Sequence, residues 1–204
     1  MHKLERWRDR LNTAVLVLPG QWFSLMAIYW LRFCPPLRPF HFDVPFPPTF
    51  AFLMGCAASC LPYFLPRAYF IPRRFELGGF YRRLGLRWFR YFATDGDLIN
   101  RTLRRIQPSY RVVHDRASLQ KHLEGTYSSE RWHLAFFIAG TLTCYHAIYT
   151  DQYMIGSLIF VTNVIFNLFP VLHQRYKRVR MRRLSTNSPR STRRLASEKK
   201  AEIG

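Results

Sequence analysis

The chain has 204 residues, with 31 Lys and Arg against 12 Asp and Glu and a formal net charge of +19. Hydrophobic residues make up 49% and aromatics 17%, which excludes a chain that stays solvated and disordered. The mean hydropathy of −0.14 looks soluble. That average conceals long apolar blocks alternating with arginine-rich ones, the pattern of a small polytopic membrane protein.

Four blocks lack Asp, Glu, Lys and Arg for about the 20 residues that a bilayer demands. The first, residues 11–31, follows the basic start MHKLERWRDR. Its apolar character continues through Trp22, Phe23, Ile28, Tyr29 and Trp30 without a small-x-small site, so an uncleaved anchor is expected rather than a signal peptide. The second block, 44–66, carries Pro47, Pro48, Pro62 and Pro66, which restrict its uninterrupted helix to 49–61. It reads as a short span or a re-entrant hairpin. The third, 132–150, and the fourth, 152–174, lack the charged face of an amphipathic core helix. Both are read as spans, and YMIGSLIFVTNVIFNLFPVL in the fourth is the most lipid-like run.

Basic residues around these blocks number four, two, fourteen, none and eleven in chain order. Rich and poor segments alternate, as the positive-inside rule requires of four spans with both termini cytoplasmic. Arginines interleaved with aromatics, as in RRFELGGFYRRLGLRWFRYF, also suit nucleic acid. Topology and attraction to anionic lipid already account for the charge, so no nucleic-acid partner is expected. The tail KRVRMRRLSTNSPRSTRRLASEKK reads as disordered and lipid-facing. Cys34, Cys56, Cys60 and Cys144 form no C-x-x-C pair, so neither a zinc site nor a disulfide framework is indicated.

Among seven histidines, His133 stands three residues after Glu130 in SSERWHLAFF. Positions i and i+3 share a helix face, so Glu130 can hold one ring nitrogen and leave the other free. That is what a general base needs. The same residues also read as an interfacial helix start, with Glu130 near the N-terminal dipole and Trp132 as a belt anchor. His146 and Asp151 match the H-x-x-x-x-D spacing of glycerolipid acyltransferases. They fall on the expected outer side, away from a cytosolic donor, and are not expected to be catalytic. Asn163, Asn167, Pro170 and Gln174 share one face of the fourth block. Amides in hydrocarbon need partners, so this face should look inward, and Pro170 should bend the helix. The exit QRYKRVR offers Arg175 and Arg178 to lipid head groups or to donor phosphates.

Two patterns together carry a resemblance. Asn167-x-x-Pro170-x-x-x-Gln174-Arg175-Tyr176-x-Arg178-x-Arg180 resembles the C-terminal signature of the CrtO-type glycosyl-4,4′-diaponeurosporenoate acyltransferases. Glu130-x-x-His133 is similar to the E-x-x-H-W element that precedes it in that family. A weaker match is Phe75-Glu76-x-x-Gly79-Phe80-Tyr81, then Trp88 and Asp95-Gly96. The resemblance covers roughly residues 69–183. The chain departs from the family pattern at Lys177, where Asn is usual, at Phe89, where Lys follows the Trp, and after His133, where no Trp follows.

The resemblance implies an O-acyltransferase of carotenoid biosynthesis in the cell membrane. It would move a fatty acyl chain to a sugar hydroxyl of a glycosylated carotenoid or similar glycolipid, with His133 and Glu130 catalytic. Asn167, Gln174, Arg175, Tyr176, Arg178, Glu76 and Trp88 would bind substrate. The partners are then an acyl donor such as acyl-CoA, an amphiphilic glycosylated acceptor and anionic lipids, with no cofactor. The expected fold is all-α: about four transmembrane helices and a basic cytoplasmic helical loop. Residues 1–66 form a two-span region, 67–183 an acyltransferase-like core, and 184–204 the basic tail. The alternative is a non-enzymatic assembly or anionic-lipid-binding membrane protein.

Overall fold

Apolar blocks this long satisfy their backbone polar groups internally only as helices, and helices are what form. The structure, a computed structural model, describes residues 2–32, 48–77, 79–94, 96–113 and 115–186. Cys34, Pro47, Asp95 and the tail beyond Thr186 lie outside the described residues. Nine α-helices and no strand occur among the described residues.

Helix α1, His2–Leu31, contains the first apolar block and carries Pro19 in its interior. The second block forms α2, Pro48–Ser59, and the short α3, Leu61–Phe64. Its helical stretch agrees closely with the limits set by the prolines. Past Pro66 the chain turns into the 3₁₀ segments Arg67–Phe70 and Arg74–Leu77. The axis bends by 85° between Pro48–Phe64 and Arg67–Glu76. Three small helices follow in the basic loop: α4 (Phe80–Arg83), α5 (Leu86–Phe92) and α6 (Asp97–Ile106). In α6, Ile99 and Leu103 are buried while Arg101, Arg104 and Arg105 face out or sit at the edge.

Helix α7, Arg116–Tyr149, is the axis of the molecule. Asp115 starts it with a capping box, accepting from the Ser118 amide at 2.6 Å while its own amide donates to Ser118 Oγ at 3.1 Å. At about 1.5 Å per residue it runs for about 51 Å. The third apolar block is therefore only the C-terminal half of a longer helix. Helix α8, Tyr153–Asn163, returns after a tight turn and passes through a π segment, Val164–Leu168, into α9, Phe169–Thr186. Helix α9 runs to Thr186, so the first ten residues of the segment from Lys177 expected to be disordered are helical, three of them beyond residue 183.

Among the described residues, two helices are long and apolar enough to cross a membrane, Leu4–Leu31 and Tyr153–Arg182. A third is reached if the bent pair counts as one span. The expected span at 132–150 does not meet that test. His133, Thr141, Thr143, Tyr145, His146 and Tyr149 are spread through it and dilute its apolar character.

Helix α7 packs against α2, α8 and α9. The approach to α8 is close at Gly140, where a Cβ would lie 2.6 Å from the Asn163 side chain. Only glycine leaves room there for an amide to be buried. One apolar cluster gathers Tyr29, Cys144, Ala147 and Ile159 where α1, α7 and α8 meet. Another, of Tyr81, Leu86 and Val179, pins the basic loop to α9.

Candidate active site

Helix α9 follows a lipid-like stretch yet buries His173, Gln174 and Arg178. A buried charge is tolerated only when paired and hydrogen-bonded, and the partners come from distant parts of the chain. Arg175 Nε donates to Glu130 Oε1 at 2.8 Å, its NH1 to Glu76 Oε1 at 2.6 Å, and its NH2 to the Tyr69 carbonyl at 2.8 Å. Arg178 pairs with the other oxygen of Glu130. It also donates to the carbonyl and hydroxyl oxygens of Thr126 at 3.1 and 3.3 Å. Glu76 Oε2 accepts from the Arg73 amide at 2.9 Å. Two carboxylates and two guanidiniums thus form one buried, formally neutral array joining α7, α9 and the 3₁₀ segments. Tyr127 and Tyr69 stack beneath Arg178 and Arg175. Tyr81 lies against the array, where burial and then the Glu76 charge push its phenol up, so it stays protonated.

This arrangement differs from the expected local pair. Glu130 turns to Arg175 and Arg178 rather than to His133, because two buried guanidiniums demand a carboxylate more strongly than an imidazole does. Little of either arginine meets solvent: the Arg178 side chain is fully buried and that of Arg175 is 11% exposed.

His133 is oriented from another direction. Its neighbours are the Asn167 side chain and the Phe166 backbone. Pro170 has no amide hydrogen to close on the Phe166 oxygen, and the Phe169 amide reaches back to Val164 instead. The helix is therefore widened opposite His133. π segments of this kind often mark functional sites. Asn167 is held in turn, donating to Asn163 Oδ1 at 2.9 Å. Asn163 donates to the Phe137 carbonyl at 3.0 Å and to Thr141 Oγ1 at 3.3 Å. The amide face expected to look inward does so, and it is a relay between α7 and α8. His133 Nδ1 is buried and has no partner among the described residues.

That histidine lines a cavity of about 630 Å³, within the size range of small-molecule sites, about 300–1,000 Å³. Val15 and Leu16 of α1, Trp88 and Phe89 of α5, and Phe166 and Phe169 of the last helix supply apolar walls. Ser129, His133, His173 and Gln174 are its polar groups on α7 and α9. Gln174 Nε2 donates to Ser129 Oγ at 3.0 Å. Trp88 is 77% exposed while lining the cavity, which puts it at the mouth. Tyr176 stands outside, its hydroxyl accepting from Arg90 at 3.1 Å while Arg90 pairs with Asp97.

The structure thus brings His133, Gln174 and Trp88 to one cavity, with Asn167 behind the His133 ring. Glu76, Glu130, Arg175 and Arg178 form the array behind it. Sequence reasoning missed His173, Ser129 and Thr126. The signal for His173 was its spacing, since 166, 169 and 173 share a helix face.

The H-x-x-x-x-D pair is elsewhere. His146 Nδ1 lies 2.5 Å from the Tyr29 hydroxyl, with Trp30 against the ring. Asp151 is exposed with φ 60° in the turn between α7 and α8, and accepts from the Tyr153 hydroxyl at 2.8 Å. Among the described residues no three His, Cys, Asp or Glu side chains converge as metal ligands would.

Comparison with curated proteins and with solved structures gives no match. The family profile described as CrtO, glycosyl-4,4'-diaponeurosporenoate acyltransferase, matches residues 66–187 and so takes in the array, the π segment and every cavity wall except that from α1. The chain belongs to that acyltransferase family.

Proposed function

We propose that this chain moves a fatty acyl group from an acyl-CoA to a sugar hydroxyl of a glycosylated carotenoid, with His133 as the base. The observation that carries this reading is His133 itself: a histidine on the wall of a largely apolar cavity, its Nδ1 without a partner among the described residues, in a chain of an acyltransferase family. A sugar hydroxyl is a weak nucleophile towards a thioester until its proton is taken. His133 accepts that proton, and the Asn167 amide and Phe166 carbonyl keep its ring in place. Glu130 acts through the array, which fixes α7 to α9 and so sets the gap between His133 and the opposite wall.

In this reading the chain crosses the membrane four times with both termini in the cytoplasm. The cavity then lies at the inner edge of the bilayer, where the basic loop meets the ends of the spans. A lipid-dissolved acceptor and a soluble donor can meet there, and the arginines of α5 and α6 attract anionic lipid and the donor's phosphates. The test is transfer of labelled acyl groups from acyl-CoA to a glycosylated carotenoid by membranes with and without the protein. Equal transfer in both would sink the reading.

A further inference from the structure

His173 is 3% exposed, and neither ring nitrogen has a partner among the described residues. An imidazole buried this way loses its hydration without compensation, which destabilises the fold. Core histidines usually avoid this by bonding a carbonyl or hydroxyl. His173 lines the cavity instead, with the Phe89 ring centred 5.7 Å away and Phe169 one turn back on the same face. Whichever tautomer is present, a neutral imidazole retains one N–H donor.

The two histidines lie in different surroundings. His133 has Ser129, Gln174 and Asn167 close by, polar groups suited to a ligand with several hydroxyls. His173 has the Phe89 and Phe169 rings beside it and the Arg90 and Lys177 cations within electrostatic reach, suited to a hydrocarbon chain whose one polar atom gains negative charge. An acyl thioester is such a ligand, and its carbonyl oxygen is the acceptor that an imidazole N–H would find.

We propose that His173 is a second catalytic residue, which donates a hydrogen bond to the acyl carbonyl oxygen of the thioester while the acyl chain occupies the cavity. The inference rests on the acyl-transfer reading above. The acceptor oxygen attacks the carbonyl carbon as its proton passes to His133, and negative charge builds on the carbonyl oxygen beside the His173 N–H. The carbon–sulfur bond then breaks, the carbonyl re-forms, and the proton on His133 goes to the departing thiolate. Donors aimed at a developing oxyanion act most strongly in a water-poor site.

The test uses full-length protein in lipid nanodiscs with an acyl-CoA donor and a glycosylated carotenoid acceptor, comparing wild type, His173→Leu and His173→Gln. His173→Leu fills the space without a donor and should lower turnover by about 10²–10³-fold, as loss of one oxyanion donor does. The apparent KM for the donor should stay near wild type, and the melting temperature should hold or rise, because the variant removes an unsatisfied buried imidazole. His173→Gln keeps an N–H and should regain part of the turnover. Full turnover in His173→Leu, equal loss in both variants, or a loss that tracks a lowered melting temperature would overturn the proposal while leaving the acyl-transfer reading intact. Absence of transfer by the wild type sinks that reading, and this inference with it.

Discussion

Glu130 and Arg178 form an ion pair in which neither side chain reaches solvent. Removing one member of a buried pair strands the other, at about 3–5 kcal/mol. Glu130→Ala should therefore lower the melting temperature of the detergent-purified protein and reduce its abundance in membranes, before any effect on chemistry is considered. Loss of activity at an unchanged melting temperature would instead return Glu130 to direct work on His133.

Arg175 spreads its donors over Glu130, Glu76 and the Tyr69 carbonyl. Lysine keeps the charge but not the planar fork. Arg175→Lys should thus destabilise the fold by about 1–3 kcal/mol through unsatisfied buried acceptors, with little change in the apparent KM for acyl-CoA. A raised KM with normal stability would assign Arg175 to the donor's phosphates.

Gly140 makes room for Asn163, and an added Cβ would fall 2.6 Å from its carboxamide. Gly140→Ala forces α7 and α8 apart or displaces the amide relay that ends at His133. Overpacking of this kind costs about 1–3 kcal/mol. Thermal melting should show a clear drop, and a melting temperature equal to wild type would mean that the helices separate freely.

Much of the architecture was legible because it is written in local pattern. Apolar length and proline position located the helices of the first, second and fourth blocks. The three-and-four spacing of Asn163, Asn167 and Gln174 foretold their burial. The site was less legible because its partners are remote: Glu76 meets Arg175 across 99 positions and Glu130 across 45. The i, i+3 rule paired Glu130 with the nearest titratable group, whereas the buried guanidiniums captured it. A rule about neighbours on one helix carries no information about a competing charge on another. His173 went unnoticed for a related reason: its one sequence signal, a helix face shared with Phe166 and Phe169, marks burial, and only the cavity beside it suggests a role.

Topology has its own test. Reporter fusions after residues 38 and 151 should read as external and one after 204 as internal, following the alternation of basic residues. An external reading at 204 would mean that one block does not cross. The structure makes the bent second block and the polar third block the ones to examine, since neither is a straight helix that meets the length and apolarity of a span.

The last prediction separates the two histidine sites. His133 lines the cavity, whereas His146 is buried against Tyr29 and Trp30 and Asp151 occupies a solvent-exposed turn. A positioned base contributes about 10²–10⁴-fold in rate. His133→Ala should lower turnover by that factor at matched folded protein, and loss of its contacts with Asn167 and the Phe166 carbonyl should lower the melting temperature less than Glu130→Ala does, because no salt bridge is broken. Asp151→Asn should be close to silent, because Asn tolerates the left-handed backbone of that turn as well as Asp does and its carboxamide oxygen can still accept from Tyr153. His146→Phe should affect stability through Tyr29 but leave the turnover of folded enzyme unchanged. The measurement is acyl transfer by purified variants, normalised to folded protein. If His133→Ala keeps full turnover while Asp151→Asn abolishes it, the chemistry belongs to the C-terminal end of α7.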